Sequence, residues 1–287
     1  MTYESWWEQY VTLYKRGCKP RTLEEYARLH RAYISPVLGS IQLTDLTPED
    51  VQRALLAAAA HGARTAQAVH ALIRAVLRRA VRSRLIAWSP VEAVDRPRHE
   101  AEPGVALSEA DYDAALPWIV KDVGLSLALM AGLRRGEIAG LQWGDVDLRT
   151  RRIHVRRNRH RVGGQLVTDT PKSSAGMRVV PISPELLPIL RAAYRLTPTA
   201  WVCPCAPEAH DRRWQRIQQR DVLLSQHYRL HDLRHTYVSR LLLAGTIPRV
   251  VQYLAGHSSI DMTMRIYAHV TPEDAARELE RVAASLH

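Results

Sequence analysis

The chain has 287 residues, 46% of them hydrophobic and 24% charged, with 40 Lys+Arg against 29 Asp+Glu for a net charge of +11. This composition excludes a collagen-like or mostly disordered chain, and the length suits two domains or one large one. Of the 40 cations 36 are Arg and only four are Lys, namely Lys15, Lys19, Lys121 and Lys172. Arg forks bind phosphate and base edges in pairs, which points to nucleic acid; a merely solvated basic surface is an equal reading at this level. The N-terminus lacks a secretory h-region, and the longest apolar stretches, 54–60 and 125–133, are too short to span a bilayer. Three cysteines make no disulfide framework. The expectation is a soluble protein of a reducing cytoplasm, without a membrane partner.

In chain order, residues 1–95 read as helical. Trp6, Trp7, Tyr10, Val11 and Tyr14 recur at helical spacing. A start is expected at Pro20-Arg21-Thr22, with Thr22 as N-cap and Glu25 three residues on. Thr47-Pro48-Glu49-Asp50 predicts another, with Thr47 capping and Pro48 in the first turn. A longer helix is expected over about 65–85; its polar face carries Arg74, Arg78, Arg79, Arg82 and Arg84 with no acid between them. Residues 98–104 read as a linker between a helical domain (1–97) and a second domain (105–287). Ser108 is expected to cap a helical stretch reaching about Leu141. Residues 151–161 alternate apolar and polar around Ile153, Val155 and Val162, turn at Gly163-Gly164 and return through Leu166–Thr168. That hairpin carries Arg151, Arg152, Arg156, Arg157, Arg159 and Arg161. Val179–Ile182 reads as a further strand, 201–213 as irregular, and most of the chain from Pro184 as helical. The fold class is mainly α with a small antiparallel β-hairpin or sheet.

Four strings in the second half carry chemistry-bearing residues in a fixed order. They are Gly132-Leu133-Arg134-Arg135-Gly136-Glu137, Thr170-Pro171-Lys172 through Arg178-Val179-Val180-Pro181, His231-Asp232-Leu233-Arg234-His235, and Leu254-Ala255-Gly256-His257 followed by Tyr267-Ala268-His269. Together they resemble the tyrosine recombinases, the phage-integrase family, and the helical N-terminal half resembles that family's core-DNA-binding domain. The resemblance implies a catalytic domain of the tyrosine-recombinase fold and a two-domain, C-shaped clamp on double-stranded DNA. Tyr267 would be the nucleophile, Arg134 and Arg234 would clamp the non-bridging oxygens, and Lys172 would protonate the departing 5′-oxygen. His231 and His257 would bond the phosphate, with His231 also receiving the Tyr267 proton. Glu137, three residues after Arg134, would orient it. The ten residues from His257 to Tyr267 exceed the family's commonest interval by one. Many phage integrases begin with an arm-site domain, and here the motifs start at once with the core-binding helices. A simpler two-domain type or a shortened chain is therefore expected.

The bases for grip would be Arg74, Arg78, Arg79, Arg82 and Arg84 on the long helix, and Arg151, Arg156, Arg157 and Arg159 on the hairpin. The family works as a homotetramer on paired recombination sites. The last helix, capped at Thr271 and bearing Ala275, Leu279 and Val282, is an expected docking element, on a neighbouring protomer or on its own domain. Cys203-Pro204-Cys205 with His210 is too closely spaced for zinc, so no metal is expected. No phosphate-binding Gly-rich loop predicts a nucleotide, and no cofactor is implied. Two other readings share these motifs: a catalytically inactive DNA-binding relative, and a relaxase of the type IB topoisomerase kind. Residues 1–97 hold 14 Lys+Arg and 9 Asp+Glu, so both halves of the chain are basic.

Overall fold

A computed structural model of the chain describes residues 1–98, 104–170, 176–196 and 199–264. The chain divides into two compact units, Met1–Glu102 and Pro103–His287. The first is helical: α1 (Tyr3–Tyr14), α2 (Pro20–Leu29), a π-helical turn (His30–Ile34), α3 (Ser35–Leu38), α4 (Pro48–Ala59) and α5 (Ala63–Arg82). Trp6, Trp7 and Tyr10 of α1 share one buried core with Ile73, Val76 and Leu77 of α5 and Val51 and Leu55 of α4. The Trp6 indole donates to the Val76 carbonyl at 3.1 Å, which gives a large apolar ring its one polar partner. Burial of this kind makes truncating Ile73 to Ala cost about 2–5 kcal/mol.

The Thr47 start forms as expected: its hydroxyl accepts from the Asp50 amide at 3.2 Å, and the Asp50 carboxylate accepts from the Thr47 amide at 3.0 Å. The start near Thr22 does not. The helix begins two residues earlier at Pro20, whose fixed φ suits the first turn, after Lys19. Glu25 instead takes both hydrogen bonds of the Arg28 fork, at 2.9 and 2.7 Å.

In the second unit the stretch after Ser108 is three helices rather than one: α6 (Glu109–Ile119), α7 (Val123–Met130) and α8 (Arg135–Gly140). Ser108 does cap α6. The break comes at Asp122, whose carboxylate accepts the Leu125 amide at 3.0 Å and so starts a new helix. Helix α7 is buried on every side through Gly124–Leu129, as an all-round apolar segment must be. The expected long strand also splits. Strands β1 (Val146–Asp147), β2 (Arg152–Val155) and β5 (Arg178–Pro181) form one antiparallel sheet in the order β1-β2-β5, while β3 (Asn158–Val162) pairs with β4 (Gln165–Asp169) in a hairpin. The chain passes between the two at Arg156–Arg157, where the Arg157 guanidinium is held by Asp145. Gly163 and Gly164 both have positive φ and make the two-residue turn between Val162 and Gln165.

Helices α9 (Leu186–Leu196), α10 (Pro207–Arg220), α11 (Leu230–Leu243), α12 (Pro248–Ala255) and α13 (Asp261–Met264) complete the unit. The segment expected to be irregular becomes helical from Pro207, because Trp214 and His210 bury against the core. That core gathers Leu125, Leu127, Leu133, Ile138, Ile153, Val180, Leu186, Leu190, Trp214 and Leu233. Buried Asp111 ties α6 to the segment entering α11, accepting from the Ser225 amide at 2.8 Å and the Tyr228 hydroxyl at 2.7 Å. No helix among the described residues is long and apolar enough to cross a membrane, and no group of His, Cys, Asp or Glu among them is arranged to hold a metal ion.

Candidate active site

Arg134 sits at the N-terminal end of α8. Glu137, one turn on, accepts from the Arg134 backbone amide and from its Nη1, both at 2.9 Å. The i, i+3 spacing therefore fixes the arginine twice, at its backbone and at its fork. The other fork nitrogen, Nη2, donates to the Gly256 carbonyl at 2.6 Å. About a third of the Arg134 side chain stays exposed, so the guanidinium has an open face.

His231 and Arg234 occupy the first turn of α11, three residues apart, which turns them to one side. Asp232 accepts from the Arg229 amide at 2.7 Å and secures that helix start. Arg234 is 2% exposed, and its fork donates to the carbonyls of Gly132 and Ala255. His257 follows α12 directly, is buried, and places Nδ1 2.9 Å from the Thr263 hydroxyl. The rings of His231 and His235 meet edge to face, 4.7 Å between centroids.

A further cation belongs to this cluster and escapes a reading of the sequence. Arg178 opens β5 and its side chain is wholly buried. Nη1 and Nη2 donate to the two Glu137 oxygens at 3.0 and 2.9 Å, and Nε donates to the Leu254 carbonyl at 2.7 Å. The second ordered string contains it without giving it a role; a charged residue at the head of a short apolar strand is the signal that marks it.

The electrostatics follow from these contacts. Burial alone would raise the Glu137 pKa; the hydrogen bonds and charge of Arg178, with Arg134 and Arg234 behind them, overcome this and hold it at about 2. Burial, then the charge of Arg134, push the Arg234 guanidinium well below its ordinary value. Among these four side chains three positive charges face one negative. The surplus of two is an incentive for an anion to enter. Burial first, then Arg234 and Arg134, lower His257 to about 3. Burial first, then His235, Arg234 and Arg134, lower His231 to about 4, with the Asp232 carboxylate opposing them. Both imidazoles are neutral near pH 7, so each has one nitrogen able to accept a proton.

The structure brings Arg134, Glu137, Arg234, His231 and His257 together. Lys172 and Tyr267 lie outside the described residues, as does the segment from Thr271 onward. The arginines expected to grip a partner are placed differently. On α5, Arg74 pairs with Glu92 at 3.1 Å and Arg79 lies 3.8 Å over the Tyr14 ring. Arg78 and Arg82 are exposed on a groove of about 400 Å³ shared with Tyr10, Tyr14 and Lys15, and Arg84 stands past the helix end in a left-handed conformation. In the second unit Arg157 is bonded to Asp145, Arg156 lies 3.8 Å from it, and Arg159 stacks 4.5 Å over Trp201. Arg151 is exposed, in a left-handed turn before β2.

Comparison with known proteins gives this cluster its context. Residues 107–274 match the phage integrase family, and residues 2–56 match the phage integrase N-terminal SAM-like domain. The chain is 30% identical to a putative prophage phiRv2 integrase of Mycobacterium tuberculosis over 295 residues, covering 96% of this chain and 75% of that one. It is 26% identical to a tyrosine recombinase XerC-like protein of Caldanaerobacter subterraneus, over 54% of this chain and 46% of that one. In fold it is similar to the Tn1549 transposon integrase solved with a circular intermediate DNA (TM-score 0.80, 23% identity, 98% of this chain and 99% of that one). It is also similar to a lambda integrase dimer bound to a core site (TM-score 0.70, 20% identity, 93% and 95%). The chain belongs to the phage integrase family and is a tyrosine-type site-specific recombinase.

Proposed function

We propose that the chain cuts and rejoins double-stranded DNA through a 3′-phosphotyrosyl intermediate on Tyr267, exchanging strands between two specific sites in the cytoplasm. The observation that carries this is the cluster of Arg134, Arg234, His231 and His257 at a site where Arg134, Arg178 and Arg234 outnumber Glu137 by two charges. A phosphodiester carries one negative charge and the pentavalent phosphorane two, so the surplus favours the transition state over the ground state. Arg134 and Arg234 hold the non-bridging oxygens. His257 donates to one of them, with Thr263 setting its ring. The Tyr267 oxygen attacks phosphorus as its proton passes to neutral His231, and the P–O5′ bond breaks as Lys172 gives its proton to the leaving oxygen. A 5′-hydroxyl of another strand reverses these transfers and reseals the DNA. Neither cofactor nor nucleotide is needed, because the phosphotyrosine conserves the bond.

The helical domain (1–97) and the catalytic domain (105–287), joined by 98–104, both grip the DNA backbone. Exposed Arg78, Arg82, Arg84 and Arg151 reach phosphates directly. Arg74, Arg79, Arg156, Arg157 and Arg159 join them by leaving or sharing their present partners. Four protomers work on two sites, with the segment after Tyr267 docking between neighbours. A nicked suicide duplex tests the chemistry: the wild-type chain becomes covalently attached to DNA, and the Tyr267→Phe variant does not. Attachment by that variant would remove Tyr267 as the nucleophile. Relaxation of supercoils at any sequence, without paired sites, would favour a topoisomerase-like relaxase.

A further inference from the structure

A helix leaves its last carbonyls without intrahelical donors. Gly256, left-handed at φ 65°, closes α12. Its amide donates to the Tyr253 carbonyl at 2.9 Å and the His257 amide to the Gln252 carbonyl at 3.0 Å, the paired closure of a glycine-terminated helix. The next three carbonyls, of Leu254, Ala255 and Gly256, each receive a different arginine. Arg178 from β5 takes Leu254 at 2.7 Å, Arg234 from α11 takes Ala255, and Arg134 from the start of α8 takes Gly256 at 2.6 Å. Three distant segments thus converge on one negative helix end.

Arg178 has no place in the reaction as proposed. Its side chain is 0% exposed, so it cannot reach DNA. A buried cation needs complete pairing, and its fork has it, with Glu137 on two nitrogens and Leu254 on the third. Among the described residues, Arg134 is aimed by two groups beyond its own backbone: the Glu137 carboxylate and the Gly256 carbonyl. Arg178 grips the first directly and holds the turn that carries the second. From this we infer that Arg178 is a positioning residue, locking Glu137 to the end of α12 so that Arg134 faces the scissile phosphate. The inference rests on the phosphotyrosyl reading above. Lysine at this position keeps the charge, but one ammonium cannot span the carboxylate and the Leu254 carbonyl in the geometry of a planar fork.

A purely architectural role makes a different forecast, and a substrate change separates the two. Replacing a non-bridging oxygen of the scissile phosphate by methyl gives a neutral methylphosphonate, which has less need of Arg134. The substrate is the duplex that the wild-type full-length chain captures covalently from a randomised nicked pool, remade with either linkage. The Arg178→Lys variant is expected to form the covalent adduct about 100-fold more slowly on phosphodiester DNA and within about 5-fold of wild type on methylphosphonate DNA. Equal slowing on both substrates, or none on either, would overturn the role. If Arg178→Lys shows no cooperative melting, the isosteric Glu137→Gln variant serves. It is expected to show the same contrast between linkages, and equal loss on both would again overturn it. Absence of any wild-type adduct from the pool would overturn the phosphotyrosyl reading and this inference with it.

Discussion

Two sets of arginines use the same side chain in opposite ways. Those of α5 and the β2–β3 passage lie at the surface and lean on carboxylates or rings: Arg74 on Glu92, Arg79 on Tyr14, Arg156 and Arg157 on Asp145. Those of the site are bonded chiefly to backbone carbonyls and to the buried carboxylate of Glu137. An exposed pair in water, such as Arg74 with Glu92, contributes about 0–1 kcal/mol and is easily exchanged for a phosphate, whereas Arg157 leans on a buried Asp145 and is held more firmly. A buried arginine on a carbonyl cannot be released without orphaning that carbonyl. The lesson is that arginine number marks the basic surface, while backbone contact marks the groups whose position matters.

The contrast breaks most visibly at Arg234. The Arg234→Lys variant keeps the charge but cannot reach both Gly132 and Ala255. Covalent capture on suicide DNA is expected to fall about 100- to 1000-fold, and a rate within threefold of wild type would show that charge alone suffices.

Acid sharpens it next. His257 has its folded pKa held at about 3, whereas an unfolded histidine titrates near 6.5. The unfolded state therefore takes up a proton first as pH falls. Stability is full above about pH 6.5 and declines below it, by roughly 3 kcal/mol between pH 7 and pH 4 from this residue. The buried carboxylates of Glu137 and Asp111, both held at about 2, are lost only in a lower window, below about pH 4. Denaturant melts across pH should thus show a histidine limb that the His257→Gln variant makes shallower, the remainder coming from other buried histidines such as His231 and His210. A limb unchanged in that variant would remove His257 as its source.

The smallest effects belong to the surface. Replacing Arg78 and Arg82 together by Ala should weaken DNA binding modestly and lower the slope of log affinity against log salt by about 1 for each side chain, with the adduct rate at saturating DNA unchanged. A change in that rate would mean that these residues act on the chemistry as well.

Legibility in the sequence followed the distance between partners. Most pairs three residues apart could be read directly, because a helix places them side by side: Thr47 with Asp50, Ser108 with Asp111, Arg134 with Glu137, His231 with Arg234; Thr22 with Glu25 failed because Pro20 starts that helix earlier. The Gly163-Gly164 turn was legible for a similar reason, being set by two adjacent residues. Arg178 was not, since its carboxylate lies 41 positions away and its carbonyl 76. Nor was Asp145, which answers a run of arginines that has no acid of its own. The division of 151–162 between two sheets was hidden too, because alternation reports which face is buried and says nothing about which strand lies alongside. Within the site, the ordered motifs led to Arg134, Glu137, His231, Arg234 and His257, which the structure brings together, but not to the backbone that holds them; Lys172 and Tyr267 lie outside the described residues.

That backbone makes α12 unusual under mutation. The arginines contact carbonyls at 254, 255 and 256, so the side chains there are not what is recognised. Each residue of an α-helix turns the chain by about 100° and advances it by about 1.5 Å. Adding or removing one residue within α12 would rotate every carbonyl away from its arginine at once, whatever residue was added. Helix α12 is a ruler more than a word: its spelling at Leu254 and Ala255 can vary within the limits of packing, and its length cannot.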